Sequence, residues 1–194
     1  MRVITFDIET ANTFEEAESW DPADLQLAVV CAHDSATGKI EHYLEKDLPE
    51  LWKVLAEADV LVGWNSNHFD IPILARRYPG QIARLRSVDL MKELQKVIGR
   101  RIKLDDVAQA TLGHGKSADG LQSIVWWREG KIQEVIDYCK QDVQVTRDLF
   151  DYALAHGSLK YPQNGQAVQE AKLDTSAWLT KPELPQGATA SLFG

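Results

Sequence analysis

The chain opens on a short apolar run, Val3-Ile4-Thr5-Phe6, with the β-branched and aromatic content of a buried strand, predicted over Arg2–Asp7. Residues Thr10–Asp24 are polar and loop-like and carry Phe14 and Trp20. Leu25–His33 (LQLAVVCAH) reads as a second strand. The Ser35–Gly38 turn then returns the chain into a third, Ile40–Leu44, and so short a connection favours antiparallel pairing. Next the spacing changes. Leu48, Leu51, Trp52 and Leu55 fall on one face of a helix over Asp47–Glu57, with Asp47 as N-cap. Val60–Trp64 is apolar throughout, the pattern of a strand covered on both faces. Strand, helix and strand in that order predict a crossover and a parallel pair.

Asn67 or Ser66 is expected to cap a helix running to about Tyr78, ended by Pro79-Gly80. Leu85–Val88 reads as a short fifth strand. Asp89–Ile98 and Leu104–Leu112 are amphipathic helices, each followed by glycine, and Leu121–Arg128 is a short helix with Trp126 and Trp127. Lys131–His156 has helical spacing through Ile132, Val135, Ile136, Cys139, Val143 and Leu149, with a predicted interruption near Lys140. After Pro162 periodicity fades and Gln, Ala, Thr, Pro and Gly dominate. The organisation is therefore an α/β domain over residues 1–161 and an extended or flexible tail over 162–194.

Composition alters this picture little. The 194 residues are 44% hydrophobic, enough for one domain with a sizeable core. There is neither an 18-residue apolar run nor a signal-peptide pattern at the N-terminus. Cys31 and Cys139 lie far apart, in no metal-ligand spacing, and read as buried thiols in a reducing compartment. A cytoplasmic protein is expected. The net charge of −8 argues against nucleic acid, but the charge is unevenly spread. Between Arg76 and Lys103 nine basic residues face only Asp89 and Glu93. Such a stretch is either a solvated helix face or a phosphate-contact surface.

Candidate chemistry begins in the first strand. Asp7 and Glu9 are two residues apart, so both project from one face of the strand. Side by side in an apolar element, two carboxylates need a cation, and a metal ion would serve. Alternatively the pair marks a strand end turned to solvent. Asp70 follows the fourth strand, where it would also support a helix dipole. Tyr138 and Asp142 are four residues apart on one helix face.

Taken together and in this order, Asp7-x-Glu9, Asn65-x-x-x-Phe69-Asp70 and Tyr138-x-x-x-Asp142 resemble the three motifs of the DEDD superfamily of 3′–5′ exonucleases. The phrases FDIET, GWNSNHFDIPIL, KLDDVAQATLG and YCKQD are most similar to the proofreading domain of family B DNA polymerases. One branch of the superfamily has His five positions before the last aspartate, where this chain has Asp137. The other has Tyr four positions before it, where this chain has Tyr138. The resemblance covers about residues 1–161 and implies a ribonuclease H-like fold, a five-stranded mixed sheet flanked by helices.

It also implies a two-metal site using Mg²⁺ or Mn²⁺. Asp7 would bridge the ions, Glu9 and Asp142 would hold one, Asp70 would act at the other, and Tyr138 would orient the attacking water. Oxygen-only ligands suit such hard cations. Thr10, Asn12, Phe14, Asn65 and His68 are expected near the substrate, and His114 is a weaker phosphate candidate. Trp20, Trp64, Trp126 and Trp127 read as core or partly buried. The expected activity is hydrolysis from the 3′ end of single-stranded DNA. The alternatives are a 3′–5′ exoribonuclease and a catalytically silent nucleic-acid-binding or replication-accessory module. The terminal Ser191-Leu192-Phe193 resembles the peptide with which bacterial replication and repair proteins dock on the sliding clamp, with Thr189 in place of the usual Gln.

Overall fold

The structure is a computed structural model, and it describes residues 1–115, 120–163 and 167–180. Five strands form one mixed sheet in the order β3-β2-β1-β4-β5. They are β1 (Val3–Thr10), β2 (Leu27–Asp34), β3 (Lys39–Tyr43), β4 (Val60–Gly63) and β5 (Ser87–Asp89). β1, β2 and β3 pair antiparallel, and β4 and β5 continue the sheet parallel to β1. The predicted hairpin and crossover are both present.

The period of two along β1 sorts its side chains onto two cores. Ile4, Phe6 and Ile8 meet α1 (Leu48–Ala56) and α2 (Asp70–Ala75) through Leu51, Leu55, Ile73 and Leu74. The opposite face is covered by α6 (Ile132–His156), whose Val135, Ile136, Cys139 and Val143 pack on Val29 and Cys31 of β2. Farther along, α6 shares a core with β4, β5, α3 (Leu90–Ile98) and α4 (Leu104–Leu112). The helix α5 (Gly120–Arg128) lies beside α6 and the end of β1. Among the described residues no helix is long and apolar enough to cross a membrane.

Several expectations need correction. α6 runs unbroken through Lys140. It contains neither Gly nor Pro, and its apolar stripe lapses only because Tyr138 and Asp142 occupy inward positions and are themselves buried. The helix expected from Asn67 to Tyr78 is shorter. It begins at Asp70, and Ser66 and Asn67 belong to the turn before it. Asp47 precedes α1, but its carboxylate accepts from the Leu44 amide and caps no amide of α1. Residues beyond 161 are not uniformly extended. β6 (Ser158–Tyr161) pairs antiparallel with β7 (Gln169–Lys172), and Trp178 is buried on Phe150 with ring centroids 5.6 Å apart. The apolar anchors Ala171, Leu173 and Trp178 are too sparse to show as periodicity. Trp20 is exposed, against the expectation of burial. Ser191, Leu192 and Phe193 lie outside the described residues.

Candidate active site and metal centre

β1 outruns its parallel neighbour. β4 pairs with it as far as Thr5↔Val62, so Asp7 and Glu9 lie beyond the last paired residue on that side. Both project toward α6, whose seat on Val29 and Cys31 brings Tyr138 and Asp142 over them. Carboxylate oxygens of Asp7, Glu9 and Asp142 all lie within 4.8 Å of one another. Glu9 and Asp142 are buried and Asp7 is half-buried. Three like charges at this range repel strongly in a partly dry setting. An all-carboxylate donor set of this kind fits a hard divalent cation.

The surroundings hold these oxygens in place. Ser123 Oγ on α5 donates to Glu9 Oε2 at 2.5 Å. The Tyr138 hydroxyl donates to Asp142. Burial, and then the negative charge of Asp142, Glu9 and Asp7, push the Tyr138 phenol far above its ordinary range. It is therefore a fixed proton donor at neutral pH. Trp126 meets its ring edge-on at 6.2 Å. Beneath the cluster, Cys139 Sγ sits 3.4 Å from the Asp7 carbonyl oxygen.

Asp70 occupies the same cleft but stands outside that three-acid group. Its carboxylate accepts from its own amide and from the Ile8 amide, on the edge of β1 that β4 has left. Burial, aided by the charge of Asp89, pushes its pKa up to about 8. Asp89 is the organiser of this corner. Its Oδ1 accepts from the Asn65 amide at 2.9 Å and the Lys92 amide at 3.1 Å, and its Oδ2 accepts from the Asn67 amide at 3.0 Å. It thus caps α3 and fixes the turn that delivers Asp70. Asn65 adopts φ +60°, a conformation Asn tolerates better than most residues. A Cβ on Gly63 would lie 2.5 Å from Ser66 Cβ, so the turn folds back on β4 only over a glycine.

The cleft encloses about 400 Å³. Of the expected substrate residues, Thr10, Asn12, Phe14 and Asn65 line it, and His68 does not. Asn12 is also committed to structure, its Oδ1 accepting from the Gln26 amide at 2.8 Å. Ile8, Thr13, Leu25, Trp64, Phe69, Leu121 and Ile124 complete the lining, together with the acids and Tyr138. Sequence reasoning missed Ser123 and Asp89. Ser123 carries no sequence signal, whereas Asp89 was visible as the acid at a strand-to-helix junction. Part of the basic stretch is engaged within the fold. Arg76 pairs with Asp24, Arg77 with Glu45, and Arg100 donates to the Pro162 carbonyl. Arg101 reaches the cleft wall, donating to Asn65 Oδ1 at 2.5 Å.

Residues 4–154 match the family model RNase_H_2 of the RNase H superfamily. The chain belongs to the RNase H superfamily. Among solved structures it is similar to the family B DNA polymerase from the hyperthermophilic archaeon Pyrobaculum calidifontis, with a TM-score of 0.61 and 23% identity. The match covers 79% of this chain and 24% of the polymerase, and at that identity it shows the fold alone. No curated protein matches. RNase H-like nucleases use divalent metals, and the Asp7, Glu9 and Asp142 cluster is where this RNase H-like domain offers the ligands for one. Fold and cluster together point to nuclease chemistry on nucleic acid.

Proposed function

We propose that this RNase H-like protein is a metal-dependent 3′–5′ exonuclease of the tyrosine-type DEDD class, acting on single-stranded DNA ends. The observation that carries the reading is the convergence of Asp7, Glu9 and Asp142 with a Tyr138 hydroxyl bonded to Asp142, in an open cleft. Asp7, Glu9 and Asp142 would hold one divalent ion, and Asp70 would act at a second. Such ions supply Lewis acidity, acidifying water and stabilising a leaving oxygen. Tyr138 stays protonated and aims the attacking water by hydrogen bonding, because a phenol so far above its ordinary range is no base at neutral pH. Ser123 restrains the Glu9 carboxylate through Oε2.

The test uses 5′-labelled single-stranded DNA, duplex DNA and RNA, with Mg²⁺, Mn²⁺ or chelator, beside Asp7→Ala. A ladder shortening from the 3′ end of single-stranded DNA, seen only with metal and lost in the variant, is the expected result. Cleavage confined to RNA would move the substrate to ribonucleic acid. No cleavage of any substrate by folded protein would refute the enzyme.

A further inference from the structure

Trp20 is 88% exposed although the loop that carries it is tied by hydrogen bonds. The Ala17 amide donates to the Thr13 carbonyl and the Ser19 amide to the Phe14 carbonyl. Ser19 Oγ donates to Asp24 Oδ2 at 2.6 Å, and Arg128 and Arg76 clamp Glu16 and Asp24 from two sides. Glu18 sits at φ +49°, an unfavourable backbone for a residue with a Cβ, held by these bonds. The loop backbone therefore holds Trp20 on the water side. The ring lies 6.0 Å from Phe14, nearly parallel at 26°. Phe14 in turn meets Phe69 edge-on at 6.2 Å, and both phenylalanines line the cleft. A continuous aromatic path thus leads from the acid cluster to solvent and ends on Trp20.

We propose that Trp20 is an outer stacking platform, on which a base of single-stranded nucleic acid rests while the strand's 3′ end occupies the cleft. The proposal rests on the nuclease reading above. The occupant is a base face and not a phosphate. Besides Glu16 and Asp24, which pair with arginines, the loop bears Glu15, Glu18 and Asp21, which disfavour a phosphate contact, whereas every base offers a π-face to an indole. The platform accordingly adds affinity without sequence preference and without an ionic contact.

The test is run in chelator, where no metal-dependent hydrolysis occurs. A 5′-fluorescein decathymidylate, and versions with one abasic residue at successive positions from the 3′ end, are titrated with wild type, Trp20→Ala and Trp20→Phe by fluorescence anisotropy. Trp20→Ala is expected to weaken binding of the intact strand about fivefold to tenfold, and Trp20→Phe to retain most of the affinity. In wild type one abasic position carries a similar loss, and that loss vanishes in Trp20→Ala. The salt dependence of binding stays the same in both, since no phosphate contact is removed. Unchanged affinity in Trp20→Ala, an abasic loss that persists in it, or no strand binding by wild type each overturns the platform. Unchanged affinity beside intact metal-dependent hydrolysis removes the platform alone and leaves the nuclease reading standing.

Discussion

Asp7 and Asp89 lie at the same end of one sheet, on strands either side of β4, yet their carboxylates meet opposite surroundings. Asp89 is 2% exposed and accepts three backbone amides. Its charge is satisfied by the chain itself. Asp7 faces Glu9 and Asp142, two more acids at close range. There the chain brings acidic groups together in a donor set that fits a divalent cation. The contrast teaches that burial of a carboxylate does not mark a catalytic group. What separates the two is the close approach of two other acids at Asp7. Asp70 stands between the cases, with amide donors on one side and Asp89 on the other.

Breaking the Asp7 side should have the largest effect. Asp7→Asn is expected to lower metal-dependent hydrolysis by on the order of a thousandfold or more, measured in single turnover. Its stability in chelator should be unchanged or raised, because a repelling charge is gone. Breaking the Asp89 side should do the reverse. Asp89→Ala leaves three amides without their acceptor and should cost about 3 kcal/mol in urea unfolding. Any loss of activity there follows from the displaced Asn65–Asp70 turn, so metal affinity at the Asp7 cluster should survive in the folded fraction.

Smaller effects are expected at Tyr138 and Asp70. Tyr138→Phe should slow hydrolysis roughly ten- to a hundredfold while leaving metal affinity near wild type. For Asp70 the readout is stability against pH. Its folded pKa of about 8 lies above the ordinary aspartate value of about 3.9. Between those values the folded protein holds a proton that the unfolded chain has released, so metal-free stability falls as pH rises through that window. Asp70→Asn should flatten the fall and raise the melting temperature near pH 8, on the order of 5 °C, with little change near pH 4.

Much of this was legible in the chain itself. The apolar runs of β1, β2 and β4 and the glycine-ended α3 and α4 announce their elements because burial and turn geometry act locally. The strand spacing of Asp7 and Glu9 and the helical spacing of Tyr138 and Asp142 fix which side chains share a face. Other features depend on distant partners and leave no local trace. Ser123 matters only because α5 lies against β1. Trp178 joins the core only because Phe150 offers a flat ring. Trp20 looked like core material by residue type, but the hydrogen bonds of its loop keep it outside. Pairing within the basic stretch is hidden from the sequence for a related reason. Sequence counts charge, and the fold spends Arg76, Arg77 and Arg100 on acids and carbonyls of its own.

The most direct measurement is calorimetric titration of Mn²⁺ into wild type, Asp7→Asn and Asp89→Asn, without nucleic acid. Replacing a partner outside the metal's ligands costs roughly 10–100-fold in affinity at most sites, so removing a ligand should cost at least that. Wild type is expected to bind, folded Asp89→Asn to retain binding, and Asp7→Asn to lose at least about tenfold. Equal affinity in wild type and Asp7→Asn, or no binding by wild type, would contradict the assignment of Asp7, Glu9 and Asp142 as a metal centre.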